Sequence, residues 1–140
     1  MYISRKGIFT DGGVPCSLAT ALKTAVGAQA DFTAFKKLAA RISTQGECDL
    51  CGAGEVPLGV FVDCSPKGDS GTVETKGFEQ VIATSHGAAV GDILTTGAAG
   101  ILVACAVGNT PDVGELMAGC WQIDEVIDAN TVLIQIDARL

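Results

Sequence analysis

A chain of 140 residues makes one domain, at most two, and buries about two-thirds of its unfolded surface without needing a disulfide scaffold. Its formal charge of −7 argues against nucleic acid as the main ligand, because phosphate binding takes clustered Lys and Arg. Val and Ile outnumber Leu 23 to 10, and this β-branched excess, which suits a pleated surface, argues against an all-helical bundle.

At the N-terminus Arg5 and Lys6 are followed by Gly, Asp and Pro rather than by the apolar run of a secretory leader, so synthesis in the cytosol is expected. Residues 1–30 read as an extended or partly helical arm. Leu18, Leu22 and Val26 recur at helical spacing, with Ser17 placed to cap the start and Gly27 to end it. Residues 31–44, DFTAFKKLAARIST, hold a conflict. Phe32, Phe35, Leu38, Ala39 and Ile42 fit a helix behind Asp31 slightly better than they fit a strand. A turn around Gly46 follows, then a strand with Val56, Leu58, Val60 and Val62 on one face and Pro57 near its beginning.

Beyond Lys67 the signals are strand and turn. TVET and FEQVIAT are short strands, the second with Phe78, Val81 and Ala83 apolar, and Ser85-His86-Gly87 breaks the chain. Residues 92–96 and 101–107 form a hairpin around 97–100, ELMAGCWQI is a further strand, and TVLIQID closes the chain with Val132, Ile134 and Ile136 on one side. Eight or more short strands, with a turn signal every ten residues or so, predict an all-β barrel or sandwich over residues 31–140. GEVPLGVF from Gly54 aligns with GELMAGCW from Gly114 at an offset of sixty residues, matching Phe61 to Trp121, so two similar β units are expected.

The chain offers little catalytic chemistry. Cys48-Asp49-Leu50-Cys51 has zinc-ligand spacing, but no second pair completes a site. Cys105 and Cys120 sit in apolar runs where reduced Cys packs as a small hydrophobe, and a Cys48–Cys51 or inter-strand disulfide is the alternative. His86 is expected in an exposed turn, with no nucleophile elbow, phosphate loop or paired-carboxylate motif beside it. No catalytic residue, metal or cofactor is therefore expected. The longest apolar stretch, residues 97–108, is short of the roughly 20 residues of a membrane helix.

The charge is unevenly spread. Residues 1–41 carry six basic and two acidic side chains (+4), and residues 42–140 carry three basic and fourteen acidic ones (−11). Taken together and in order, GAGEVPLGVFVD, KGDSGTVETKGFEQVIA, AAVGDILTTGAAGILVACA, VGELMAGCWQIDEV and TVLIQID make residues 35–136 resemble the capsid cement, or head decoration, proteins of tailed bacteriophages. The resemblance implies a compact β-domain on the outer surface of the phage head, commonly trimeric, tying neighbouring major capsid proteins together without catalysis. It also favours strand over helix for residues 35–42. The long N-terminal segment and the six cysteines depart from that pattern. The basic front makes Tyr2, Arg5, Lys6, Lys23, Lys36 and Lys37 the candidate contacts to capsid or to an adjacent subunit. A tail or adhesion module, or a small-molecule-binding barrel, is the alternative.

Overall fold

The computed structural model describes residues 9–10, 13–20, 22–23, 35–43, 45–64 and 70–140. These form three antiparallel sheets, none closed as a barrel by its strand ladders, so the all-β class holds. The first sheet contains β2 (Gly13–Ser17), β3 (Ala39–Ile42), β4 (Cys48–Leu50), β5 (Gly59–Cys64) and β6 (Ser70–Glu74), in the order β2-β6-β5-β3-β4. A two-residue strand, β1 (Phe9–Thr10), precedes them and pairs with a later strand, β7 (Gly77–Ile82).

The two edges of the five-stranded sheet are brought together. Leu18 bridges Cys48 in parallel, the Ala19 N–H donates to the Cys48 carbonyl at 2.9 Å, and Cys16 and Cys48 form a disulfide with their Cα atoms 6.1 Å apart. The core enclosed this way holds Leu18, Leu22, Phe35, Leu38, Phe61 and Val73.

The rest of the chain contributes β8 (Ile93–Thr96), β9 (Leu102–Ala104), a helix α1 (Val113–Ala118), β10 (Cys120–Gln122), β11 (Glu125–Asp128) and β12 (Thr131–Gln135). One sheet runs β10-β8-β9 and the other β1-β7-β12-β11. Only Ile123 and Asp124 separate β10 from β11, so the two trace one interrupted strand. Counted as one, they give β7-β12-β11/β10-β8-β9, the same order as β2-β6-β5-β3-β4. The sequence repeat is thus a repeat of topology, with one copy in β2–β6 and the other in β7–β12. Trp121 sits in the second core with Leu94, Leu102, Val132 and Ile134, as Phe61 sits in the first. Val60, next to Phe61 on β5, turns the other way into the second core and joins the two.

Two aligned glycines have steric reasons. A Cβ on Gly59 would lie 2.0 Å from the Glu74 carbonyl oxygen, where β5 and β6 approach closely. Gly119, at φ +125°, would carry its Cβ 2.7 Å from Arg139 Cδ.

Several expectations are corrected. The local preference for a helix over residues 31–44 loses to pairing: Ala39 opposes Val60, Ala40 opposes Leu50, and residues 31–34 lie outside the described residues. Ser17 is a strand residue rather than a helix cap, whereas Thr20, Leu22 and Lys23 are helical as the partly helical expectation has it, with Leu18 and Leu22 both buried. Of the segment taken as an arm, residues 13–20 and 22–23 belong to the body through β2 and the first core. Val56 is exposed and lies before β5, so the predicted strand starts late. ELMAGCWQI is helix before it is strand. Asp112 Oδ1 accepts the Glu115 N–H at 2.8 Å to start α1, and Gly119 ends it with its N–H on the Glu115 carbonyl at 2.8 Å.

Candidate functional site

Of the candidate contact residues, Tyr2, Arg5 and Lys6 lie outside the described residues. Lys23 approaches Glu47 at 4.0 Å on the first unit. Lys36 and Lys37 occupy the tight turn before β3. Lys37 has φ +69°, unusual for a side-chain-bearing residue, and its backbone joins the units: its N–H donates to Phe61 of β5 and its carbonyl accepts from Ile82 of β7, both at 2.9 Å. The structure therefore brings Lys36 and Lys37 together and leaves Lys23 elsewhere.

Lys36 and Lys37 border an open cleft of about 720 Å³, whose wall also includes Val62, Asp63, Glu74 and Glu79. Glu74 closes β6 and is 2% exposed; Glu79 lies on β7 and is 6% exposed. Oε1 of Glu79 accepts the Gln80 N–H at 3.2 Å, while its buried Oε2 has no hydrogen-bond partner. Burial pushes the Glu79 carboxyl above its ordinary range and Glu74 adds to the rise, against the opposing pull of the Gln80 N–H and of Lys37 and Lys36. Sequence reasoning missed this pair. A signal was present, since Glu79 shares the period-two parity of Val81 and Ala83, and all three are buried.

A second feature is apolar. Val107, Val113 and Met117 are 68%, 73% and 77% exposed, with Val103 and Leu116 also exposed. All come from β9, the loop after it and α1, and the Ala106 N–H donates to Glu115 Oε1 at 3.2 Å, tying loop to helix.

Cys16, Cys48, Cys51, Cys105, Cys120 and His86 are structural. Cys16 and Cys48 form an inter-strand bridge, and Cys51 is free, so the Cys48–Cys51 pairing is set aside. Burial raises the Cys51 thiol to about 11 and Cys105 to about 12, and raises Cys120 as well, which keeps all three protonated and unreactive at neutral pH. His86 is half-buried rather than fully exposed. Its Nδ1 accepts the Ala88 N–H at 2.9 Å, so its Nε2–H donates to the Asp128 carbonyl at 2.8 Å and holds two turns together. Among the described residues, no three His, Cys, Asp or Glu side chains are placed to hold a metal ion. No helix among them is long and apolar enough to cross a membrane.

A scan against protein-family models gives no match, and no curated protein matches the chain.

Proposed function

We propose that this chain is a structural virion protein that binds the outer surface of a tailed-phage capsid and stabilises contacts between major capsid proteins, acting as a trimer. The observation that carries the reading is the exposed apolar surface of the second unit, Val107, Val113 and Met117 with Val103 and Leu116 beside them. A surface of that kind, which gathers the three most exposed large apolar side chains among the described residues, suits burial against a neighbour in a lattice. The ordered motif resemblance supplies the identity of that neighbour, the major capsid protein. Many copies of one modest contact act together on a symmetric shell, so each need not be strong. No catalysis, cofactor, nucleic acid or membrane enters this reading.

Mixing the purified chain with undecorated heads and sedimenting them tests it, with stoichiometric co-sedimentation expected. The double variant Val113→Asp/Met117→Asp should weaken occupancy by about tenfold or more while melting like the parent, since both side chains are exposed. Absence of binding at high concentration, or undiminished binding by the double variant, would overturn the reading.

A further inference from the structure

A turn between β7 and β8 is held by bonds that depend on one proton. Ser85 and Gly87, on either side of His86, have φ +50° and +58°. Left-handed backbone is unfavourable for a serine, so the turn persists through what it is tied to. The ties run to residues 128–130: the Ser85 N–H donates to Asn130 Oδ1 at 2.9 Å, the His86 N–H to the Ala129 carbonyl at 3.3 Å, and the imidazole Nε2–H to the Asp128 carbonyl at 2.8 Å. The other ring nitrogen, Nδ1, accepts the Ala88 N–H at 2.9 Å. Ala88 packs against the second core, and residues 86–88 line a cavity of about 260 Å³ shared with β8, β9 and the loop after β9.

The two ring bonds set opposite demands. A backbone carbonyl only accepts, so Nε2 must carry a hydrogen; a backbone N–H only donates, so Nδ1 must be bare. Neutral imidazole in that one tautomer meets both, and imidazolium, a donor at each nitrogen, cannot. We propose that His86 is a proton-operated latch: neutral, it clamps residues 85–88 against residues 128–130, and protonated it releases Ala88 and that wall of the cavity. The charged groups around the ring are Asp128, whose Oδ1 accepts the Asn130 N–H at 2.8 Å, and Asp92, whose Oδ2 accepts the Ala89 N–H at 2.9 Å and which lines the same cavity. Neither Lys nor Arg lines the cavity, and the sequence has none between Lys76 and Arg139. Of these side-chain types, imidazole is the one that ordinarily changes charge between about pH 5 and 8, so the latch works in that interval. It does not depend on what α1 binds.

His86 is the chain's one histidine, so its imidazole gives a single set of nitrogen signals in the isotope-labelled full chain. At about pH 7.5 the Nε2–H tautomer is expected, with a scalar coupling across the hydrogen bond between the Ala88 nitrogen and Nδ1. At about pH 5 the coupling should vanish, and the Ala88 N–H, after correction for the intrinsic pH dependence of exchange, should be about tenfold less protected. His86→Asn offers Ala88 a side-chain oxygen two residues back, as in an Asx turn, and does not titrate, so its Ala88 protection should be equal at the two pH values. The parent spectra decide the tautomer and the release without any variant. The latch is overturned if the parent holds the Nδ1–H tautomer near neutral pH, or if the coupling or the Ala88 protection is the same at both pH values. It is equally overturned if a folded His86→Asn chain keeps the parent's pH dependence.

Discussion

The two β units share one strand order but are held shut by different means. In the first, Phe61 fills the core and a disulfide joins the outer strands β2 and β4. In the second, Trp121 fills the core and donates through Nε1 to the Ile136 carbonyl at 3.0 Å. Arg139 then lies 6.0 Å from the centre of that indole and donates to the Pro57 carbonyl of the first unit at 2.5 Å. The residue after the hairpin is a buried Cys in both units, Cys51 and Cys105. Each lies near the aligned glutamate: Cys51 Sγ donates to the Glu55 carbonyl at 3.3 Å, and Glu115 raises the Cys105 thiol. What differs is therefore the closure and not the frame. A covalent tie suits the unit with the smaller aromatic, whereas the larger aromatic is held through its polar atom and a cation.

Replacing the two aromatics is the most severe way to break the comparison. Trp121→Ala should cost about 4–5 kcal/mol, since it leaves a large cavity and strands the Ile136 carbonyl, while Phe61→Ala, which leaves a smaller cavity, should cost about 3–4 kcal/mol. Urea unfolding of both variants checks the order. Equal losses would mean that the indole hydrogen bond and the Arg139 contact add nothing.

Next in size is the disulfide. Cys16 and Cys48 are 32 residues apart, and opening a loop of that length costs about 3–4 kcal/mol by the chain-entropy argument. Cys16→Ala/Cys48→Ala should therefore destabilise the chain by that amount and speed amide exchange in β2 and β4 before β8 and β9. Uniform acceleration across both units would show that they open as one body and that the bridge protects neither in particular.

The same comparison explains what could be read from the sequence. The glycine and aromatic matches at an offset of sixty residues exposed the duplication because Gly59 and Gly119 are sterically required and Phe61 and Trp121 each fill a core. The start of the repeat was hidden. β2 is exposed at Gly13, Val14, Pro15 and Ser17 and half-buried at Cys16, and GVPCS shows no apolar alternation. AARI is locally compatible with a helix, and its partners β4 and β5 make it the strand that the resemblance favours over residues 35–42. Asp112 and Glu115 have the spacing of a helix cap, a signal that the expected strand over ELMAGCWQI leaves unused. The cleft was the least legible feature. Glu74 and Glu79 lie on consecutive strands of different sheets, and nothing local places Lys36, Lys37 and Val62 beside them.

The smallest expected effect is at that cleft. A carboxyl whose folded pKa lies above its unfolded value binds protons more tightly when folded, so it favours the folded state at low pH and loses that contribution as pH rises from the unfolded pKa through the folded one. Glu79 is raised in this way, by burial first. At neutral pH the buried carboxylate with its unpartnered oxygen is thus a liability, and Glu79→Gln should stabilise the chain by roughly 1 kcal/mol, the low end for a buried polar atom left unpaired. The gain should shrink on acidification and vanish below the carboxyl's ordinary value of 4.5, where the parent is protonated as well. Thermal melts across that range decide the matter. A gain independent of pH would show that packing, rather than the buried charge where the two units meet, sets the cost of this residue.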